Sequence, residues 1–479
     1  MLDNVDLLFT GADLYTLNED QPVIRNGAIA VVGNSITAIG PAAEVAASCG
    51  KVKHTVDCSG TLIMPGLIDA HSHQFQLLGR TLGDGMSLLP WLSNFMLPLA
   101  AALDAKNALA AVELSALNSA LSGTTSVVDN HYGPVDEATT IAVAKTMERV
   151  GIRGAVARGT FGPMVEGGRR MNSDERLFRY SVKEELEITE ACLKQQPASS
   201  LVQIWPTPEN VVYLDKELMQ ACLELAERYD VSWHSHLSES KFEVEIHESI
   251  HGQRPVKWLH DNGILSDRTT FAHGIWLDEE EIELLGNAKS TIIHNPVSNQ
   301  FLASGIIKLG PLLRAGVNVT LGTDGVAVAG QDMFESMKSA QMLQHLREYD
   351  AESTSAELML DLACRNGGQM LRKNVGVLKA GALADFISVD LRGPHNQPAT
   401  RAVCCLTSSV RGSDVCHVVV DGQHIVSEGR STRIDEEKVI ADALQATQQI
   451  IKKAGITELV RAWKNPGHHY SRKDRAIES

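Results

Sequence analysis

The chain has 479 residues, 44% of them hydrophobic and 21% charged, with a formal net charge of −16. This composition suits a globular protein with a sizeable core, and the acidic balance argues against nucleic-acid and anionic-membrane partners. Eight cysteines with no C-x-x-C pair read as reduced thiols, and the N-terminus has neither a basic segment nor an apolar run of the signal-peptide kind, so a cytoplasmic location is expected.

In chain order, VDLLFTGADLYTL (5–17) and GAIAVVGNSITAIG (27–40) alternate apolar and polar residues between Gly-containing turns, as short strands do. Near Ile63-Met64-Pro65-Gly66 the texture changes. From there to about residue 375 apolar runs alternate with amphipathic segments. After LIMPGLIDAHSH (62–73) come TSVVD (125–129), IRGAVA (152–157), LVQIWP (201–206), VSWHSH (231–236), TTFAHG (269–274), STIIHN (290–295) and VNVTLGTD (317–324). Helical patterns such as KELMQACLELAERYD (216–230) lie between them, and Asp278-Glu279-Glu280 suits a helix start. Eight strand–helix units predict a parallel (β/α)₈ TIM barrel, since an open doubly wound sheet wants an early Gly-rich phosphate loop that this chain lacks.

Strand texture returns in ALADFISVDL (382–391) and in DVCHVVVDGQHIVSEG (414–429), which reads as a hairpin around Asp421-Gly422. A charged helix (436–456) and a polar tail (465–479), expected to be loosely ordered, follow. Each terminal strand region is too small for its own core. The division expected is one composite β-sandwich domain from 1–62 and 376–430, the barrel over 63–375, and a C-terminal helix and tail over 431–479.

Metal-competent residues fall at the C-terminal ends of the expected strands, the active face of such a barrel. His71 and His73 sit two apart at the end of strand one, so both imidazoles point the same way. His236 and Glu239 end the fifth strand, His273 the sixth, His294 the seventh and Asp324 the eighth. His234 is read as a packed residue. Any one of these has an ordinary structural explanation, but five successive coincidences do not. His71, His73, His236 and Asp324 form a donor set suited to Zn²⁺ or Fe²⁺ rather than Mg²⁺ or Ca²⁺. An ion that keeps a water ligand lowers that water's pKa from about 15.7 toward about 7. Asp324 and Glu239 fit the accompanying proton transfers, and His273 the orientation of the water. The third- and fourth-strand segments carry no Lys to bridge two ions, so one metal is expected.

The motifs MPGLIDAHSH (64–73), HLSE (236–239), AHG (272–274), HNPVSN (294–299), GTDG (322–325) and LKAGALADFISVD (378–390) resemble those of the amidohydrolase superfamily, in its cytosine deaminase-like or chlorohydrolase-type branch. The resemblance spans nearly the whole chain. It implies a barrel with a composite β-domain, a homo-oligomer, and metal-bound hydroxide attacking a nitrogen heteroaromatic ring with release of ammonia or occasionally halide. It also implies His71, His73, His236 and Asp324 as ligands, Glu239 as proton shuttle and His273 as second catalytic residue. Nucleoside-type members carry a P-H-A-P-like segment where this chain has Pro206-Thr207-Pro208-Glu209, and Ser-Asn-Asn where it reads GVAVAGQD (325–332). These departures point away from adenosine-type substrates. Gln76 is similar to an amide of the oxopurine- and pterin-deaminating members, and Trp91 to an aromatic over the site; Thr207 and His294 complete the expected substrate contacts. A triazine-type chlorohydrolase or ring-amide hydrolase is the alternative. A non-catalytic scaffold would be expected to lose the ligand set that this chain keeps.

Overall fold

The computed structural model describes residues 2–197, 199–328 and 330–460; the polar tail lies outside them. Five strands come first: β1 (Leu2–Tyr15), β2 (Val23–Val32), β3 (Ser35–Pro41), β4 (Cys49–Asp57) and β5 (Thr61–Pro65). The barrel strands follow as β6 (Leu67–His73), β7 (Thr124–His131), β8 (Arg153–Thr160), β9 (Val202–Pro208), β10 (Trp233–Leu237), β11 (Thr269–His273), β12 (Thr291–His294) and β13 (Asn318–Leu321). A two-residue strand, β14 (Asp324–Gly325), comes next, and the chain ends its sheets with β15 (Phe386–Asp390), β16 (Val415–Val420), β17 (Gln423–Ser427) and β18 (Arg430–Ser431).

β6 to β9 pair in order and parallel, as do β10 to β13. Two seams join these halves. At one, Asn210 bridges His236 and the His236 N–H donates to the Glu209 carbonyl at 3.2 Å. At the other, β14 pairs with β6, setting Asp324 opposite Ser72 and Gly325 opposite His73. Barrel strands such as β7, β8 and β11 are buried along their whole length, which is why they read as near-continuous apolar runs rather than alternating ones.

The run 62–73 is two strands rather than one. Pro65 ends β5, which belongs with β1 and β15, and β6 starts the barrel. Between them Gly66 passes so close to β7 that a Cβ there would stand 2.1 Å from Thr125 Oγ1. The helix at Glu279–Ala288 starts as its acids predict: Asp278 caps it and Glu281 completes a reciprocal capping box.

Both chain ends share one nine-stranded sheet, in which Phe9 meets Phe386 edge-on at 5.0 Å. The 421–422 hairpin has both central residues left-handed (φ 49° and 71°), the geometry that favours Asp-Gly. Buried Arg153, at the start of β8, ties sheet to barrel through Asp385 (2.6 Å) and Asp421 (2.7 Å). Among the described residues no single helix is long and apolar enough to cross a membrane.

Candidate metal centre and substrate cavity

The strand ends deliver their polar groups to one point. His71, His236, His273 and Asp324 each offer a donor atom, all within 4.8 Å of one another, and all four are buried. Such a site could bind a metal. His73 joins the cluster from the side, its Nε2 3.2 Å from Asp324 Oδ1 and 3.3 Å from His236 Nε2. His71 Nε2 lies 3.1 Å from the same carboxylate oxygen. The backbone is bent to make this meeting possible. His273 (φ 78°), Asp324 (φ 63°) and Ser238 (φ 47°) are left-handed non-glycine residues at strand ends, a conformation that costs about 1–3 kcal/mol each.

Hydrogen bonds on the far side of each ring fix the tautomers. His73 Nδ1 donates to the Asn130 carbonyl (2.8 Å) and His236 Nδ1 to the Glu209 carbonyl (2.6 Å). Both Nε2 atoms therefore face inward, 3.3 Å apart, where one cation could take both as ligands. His71 Nδ1 donates to His234 Nε2 (2.9 Å). His234 Nδ1 in turn donates to Thr270 Oγ1 (2.8 Å), and Thr270 to the Trp233 carbonyl (3.1 Å). His273 has the opposite sense. The Asn299 amide donates to its Nδ1 (2.9 Å), so its Nε2 carries the proton and faces Glu239 (3.5 Å) and Asp324 (3.8 Å).

The carboxyl groups also differ. Burial raises Glu239 well above the usual carboxylate range, with Glu243 and Asp324 adding to it, which favours its protonated form. Asp324 is held well below that range: His273, His71 and His73 outweigh its burial. Burial keeps His236 neutral, as metal binding requires. Ser298 donates to Asp324 at 2.5 Å, and Ser304 to Glu239 at 3.0 Å. Asp69 accepts from both the N–H and the hydroxyl of Thr323 (2.9 and 2.5 Å), pinning the residue before Asp324.

A model of the amidohydrolase family matches residues 62–425. The chain belongs to that family. It is a hydrolase acting on carbon–nitrogen bonds, in the deaminase and chlorohydrolase branch. It is 33% identical over 445 residues to a 5-methylthioadenosine/S-adenosylhomocysteine deaminase of Bacillus cereus, covering 91% of this chain and 97% of that one. An adenosine deaminase from Xanthomonas campestris, solved with zinc, superposes with TM-score 0.84 at 26% identity, over 94% of this chain and 100% of that one. An atrazine chlorohydrolase from Arthrobacter aurescens, also with zinc, shares the fold (TM-score 0.86, 24% identity, 92% and 100% covered).

Beside the donor cluster of this amidohydrolase lies a small cavity. His73, His236, His273, Glu239 and Asp324 form one side, and Leu88, Trp91, Leu92, Leu97 and Leu302 give it apolar walls. Gln76 and Trp91 reach this cavity; Thr207 and His294 do not line it. Thr207 Oγ1 turns back to the Trp205 carbonyl at 3.2 Å. His294 is fully buried with neither ring nitrogen bonded, and burial pushes its pKa down to about 3. Two residues matter that sequence reasoning does not single out. His234 is bonded directly to His71 rather than merely packed, and its H-x-H spacing with His236 was the available signal. Glu209, just past β9, enters the cavity wall, where burial pushes its carboxyl up to about 8.

Proposed function

We propose that this amidohydrolase is a hydrolytic deaminase of a nitrogen heteroaromatic ring, working with one divalent ion held by His71, His73, His236 and Asp324. The observation that carries the reading is the opposed tautomers: three imidazoles turn lone pairs inward, while His273 turns an N–H inward. Three neutral imidazoles and a carboxylate suit Zn²⁺, with Fe²⁺ the alternative. Such an ion supplies an acidified water as nucleophile at neutral pH.

The chain's own groups do the rest. Glu239, protonated, donates to the ring nitrogen next to the amine-bearing carbon, so electron density withdrawn on attack has a proton to meet it. His273 Nε2–H donates to the oxygen of the attacking water and orients it. Asp324 takes one proton of the water and passes it to the departing amine, which leaves as ammonia; the ring carbon keeps the oxygen, and the water's second proton returns to Glu239. A halide needs no proton to leave, so a carboxylate placed, as Asp324 is, to carry one to the leaving group favours the deaminase over the chlorohydrolase alternative.

For the ring itself, Gln76 in the wall favours an oxopurine or pterin-like amine. A nucleoside is the second reading, favoured by the 33% identity to a nucleoside deaminase over 91% of the chain. The test is ammonia release across aminopurines, their nucleosides, aminopterins, cytosines and aminotriazines, with metal content measured on the same sample. Turnover of at least one ring amine by metal-loaded protein is expected. Chloride release from chlorotriazines with no ammonia from any amine would overturn the reading.

A further inference from the structure

We propose that Glu209 is a specificity-determining residue: its carboxyl accepts a hydrogen bond from an N–H or O–H of the substrate, so the enzyme selects substrates that carry a donor there. The inference rests on the deaminase reading for the class of substrate, and on the following geometry for the residue.

The Glu209 backbone is fixed on three sides. Its N–H donates to the Thr160 carbonyl (3.1 Å), and its own carbonyl accepts from His236 N–H (3.2 Å) and from His236 Nδ1 (2.6 Å). The side chain therefore leaves from a rigid point and forms part of the cavity wall, with the residue only 3% exposed. Oε2 is wholly buried without a partner within hydrogen-bond distance, the Asn130 side chain being the polar group close enough to lower the carboxyl's pKa. The nearest cationic candidate, His236 Nδ1, is 3.6 Å from Oε1, but its single proton is already committed to the Glu209 carbonyl.

Two neighbours show that this is not a general property of the wall. Glu243 lines the same cavity and is just as buried, yet both its oxygens are used, by Asn210 Nδ2 (2.9 Å) and the Ser240 N–H (2.7 Å). Gln76 resembles Glu209 instead: its Nε2 is spent on the Tyr132 hydroxyl (2.8 Å), leaving buried Oε1 unpaired. Space for the Glu209 carboxyl is kept open by Gly159, where a Cβ would stand 2.9 Å from Oε2 and 2.7 Å from Tyr132 Cβ. The wall thus presents two unpaired acceptors, Glu209 Oε2 and Gln76 Oε1, beside one unpaired donor, Trp91 Nε1–H. Buried polar groups are nearly always paired, and a site built to pair with a substrate group strongly rejects analogues that lack it. A lactam or ring N–H meets this need, as does a second exocyclic amine or a sugar hydroxyl. A ring edge made only of acceptors does not.

The experiment is a cycle between enzyme and ligand on zinc-loaded wild type, Glu209→Gln and Glu209→Ala. The probes are guanine with its N1-, N7- and N9-methyl derivatives, and adenosine with its 2′- and 3′-deoxy derivatives. Binding is read by calorimetry and turnover by ammonia release. At one probe position, methylation or deoxygenation should cost the wild type about 10- to 1,000-fold, and cost Glu209→Ala less than about 3-fold, with zinc retained. A response confined to the methyl series assigns a ring N–H, and one confined to the deoxy series a sugar hydroxyl. If the two penalties simply multiply at every position, Glu209 makes no such bond and the proposal fails while the deaminase reading stands. Loss of zinc from the near-isosteric Glu209→Gln would make Glu209 a support for His236 and overturn the proposal too. Failure of every probe to bind zinc-loaded wild type would overturn it, and the deaminase reading would stand or fall on the wider screen of ring amines.

Discussion

On the metal side of the cavity, every ring nitrogen that faces away from the donor cluster is bonded: His73 to Asn130, His236 to Glu209, and His71 through His234 and Thr270 to Trp233. On the wall beside it, Glu209 Oε2, Gln76 Oε1 and Trp91 Nε1 are buried and unpaired. The contrast separates two kinds of preparation. A metal centre needs ligands of fixed tautomer and direction, which bonds to the outer ring nitrogens supply. A substrate wall needs groups whose bonding is completed by the substrate, and specificity grows with the cost of leaving them unpaired.

The largest effect should come from the groups between these two sides. On the proposed assignment Asp324→Asn removes a ligand and the proton carrier together, and turnover should fall by more than about 10⁴-fold. Glu239→Gln should lose about 10²–10⁴-fold in kcat while keeping its full metal content. Metal analysis beside steady-state kinetics checks both. If Glu239→Gln lost the metal, Glu239 would belong to the metal side and the division drawn above would be misplaced.

Next in size is the outer bond of His71. His234→Ala leaves the His71 Nδ1 proton without an acceptor, and metal affinity should fall about 10–100-fold. His234→Gln can restore an acceptor oxygen and should recover part of that loss. Chelator competition measures both variants. Equal affinity for wild type and His234→Ala would show that completed outer bonds do not distinguish the metal side.

How much of this was legible follows from where each residue sits. Barrel strands are buried on both faces, so they appear as apolar runs, and a polar residue at the end of each run stands out. That is why His71, His73, His236, His273 and Asp324 could be picked from the chain and are found together. The change of texture near Gly66 was visible, but not that the run 62–73 is two strands, because strands of different sheets meet there without a polar break. The cause of the split is the close approach to Thr125, a contact between distant segments. Thr207 and His294 were placed by strand position alone, and strand position does not fix which way a side chain turns. Thr207 bonds its own strand, and Glu209 two residues later reaches the cavity instead. The bond from His234 to His71 likewise depends on side chains of β6 and β10 meeting inside the barrel, strands that do not pair and have no local relation in sequence. The nucleoside question was only half legible. The segment 206–209 departs from the nucleoside pattern, yet overall identity favours a nucleoside deaminase.

The smallest effect concerns an unpaired nitrogen that is not in the cavity. His247, on the helix Lys241–His251, donates from Nδ1 to the Gln253 carbonyl (2.9 Å), and its Nε2 is buried without a partner beside Trp258, the two rings 5.5 Å apart. Burial pushes its pKa down to about 4 from an ordinary 6.5. Above pH 6.5 the ring is neutral both folded and unfolded, and costs nothing. As pH falls from 6.5 to 4 the unfolded chain takes up a proton that the folded chain refuses, so stability falls by about 1–3 kcal/mol. His247→Gln keeps an N–H donor for Gln253 and removes the titration. Its denaturation midpoint should therefore decline less than that of wild type over this pH window, with little difference above pH 7. Ligand should leave the difference unchanged, because His247 Nε2 faces protein rather than the cavity. A substrate- or product-dependent shift in that difference would mean that unpaired nitrogens outside the cavity also respond to ligand, and the distinction between wall and scaffold would have to be redrawn.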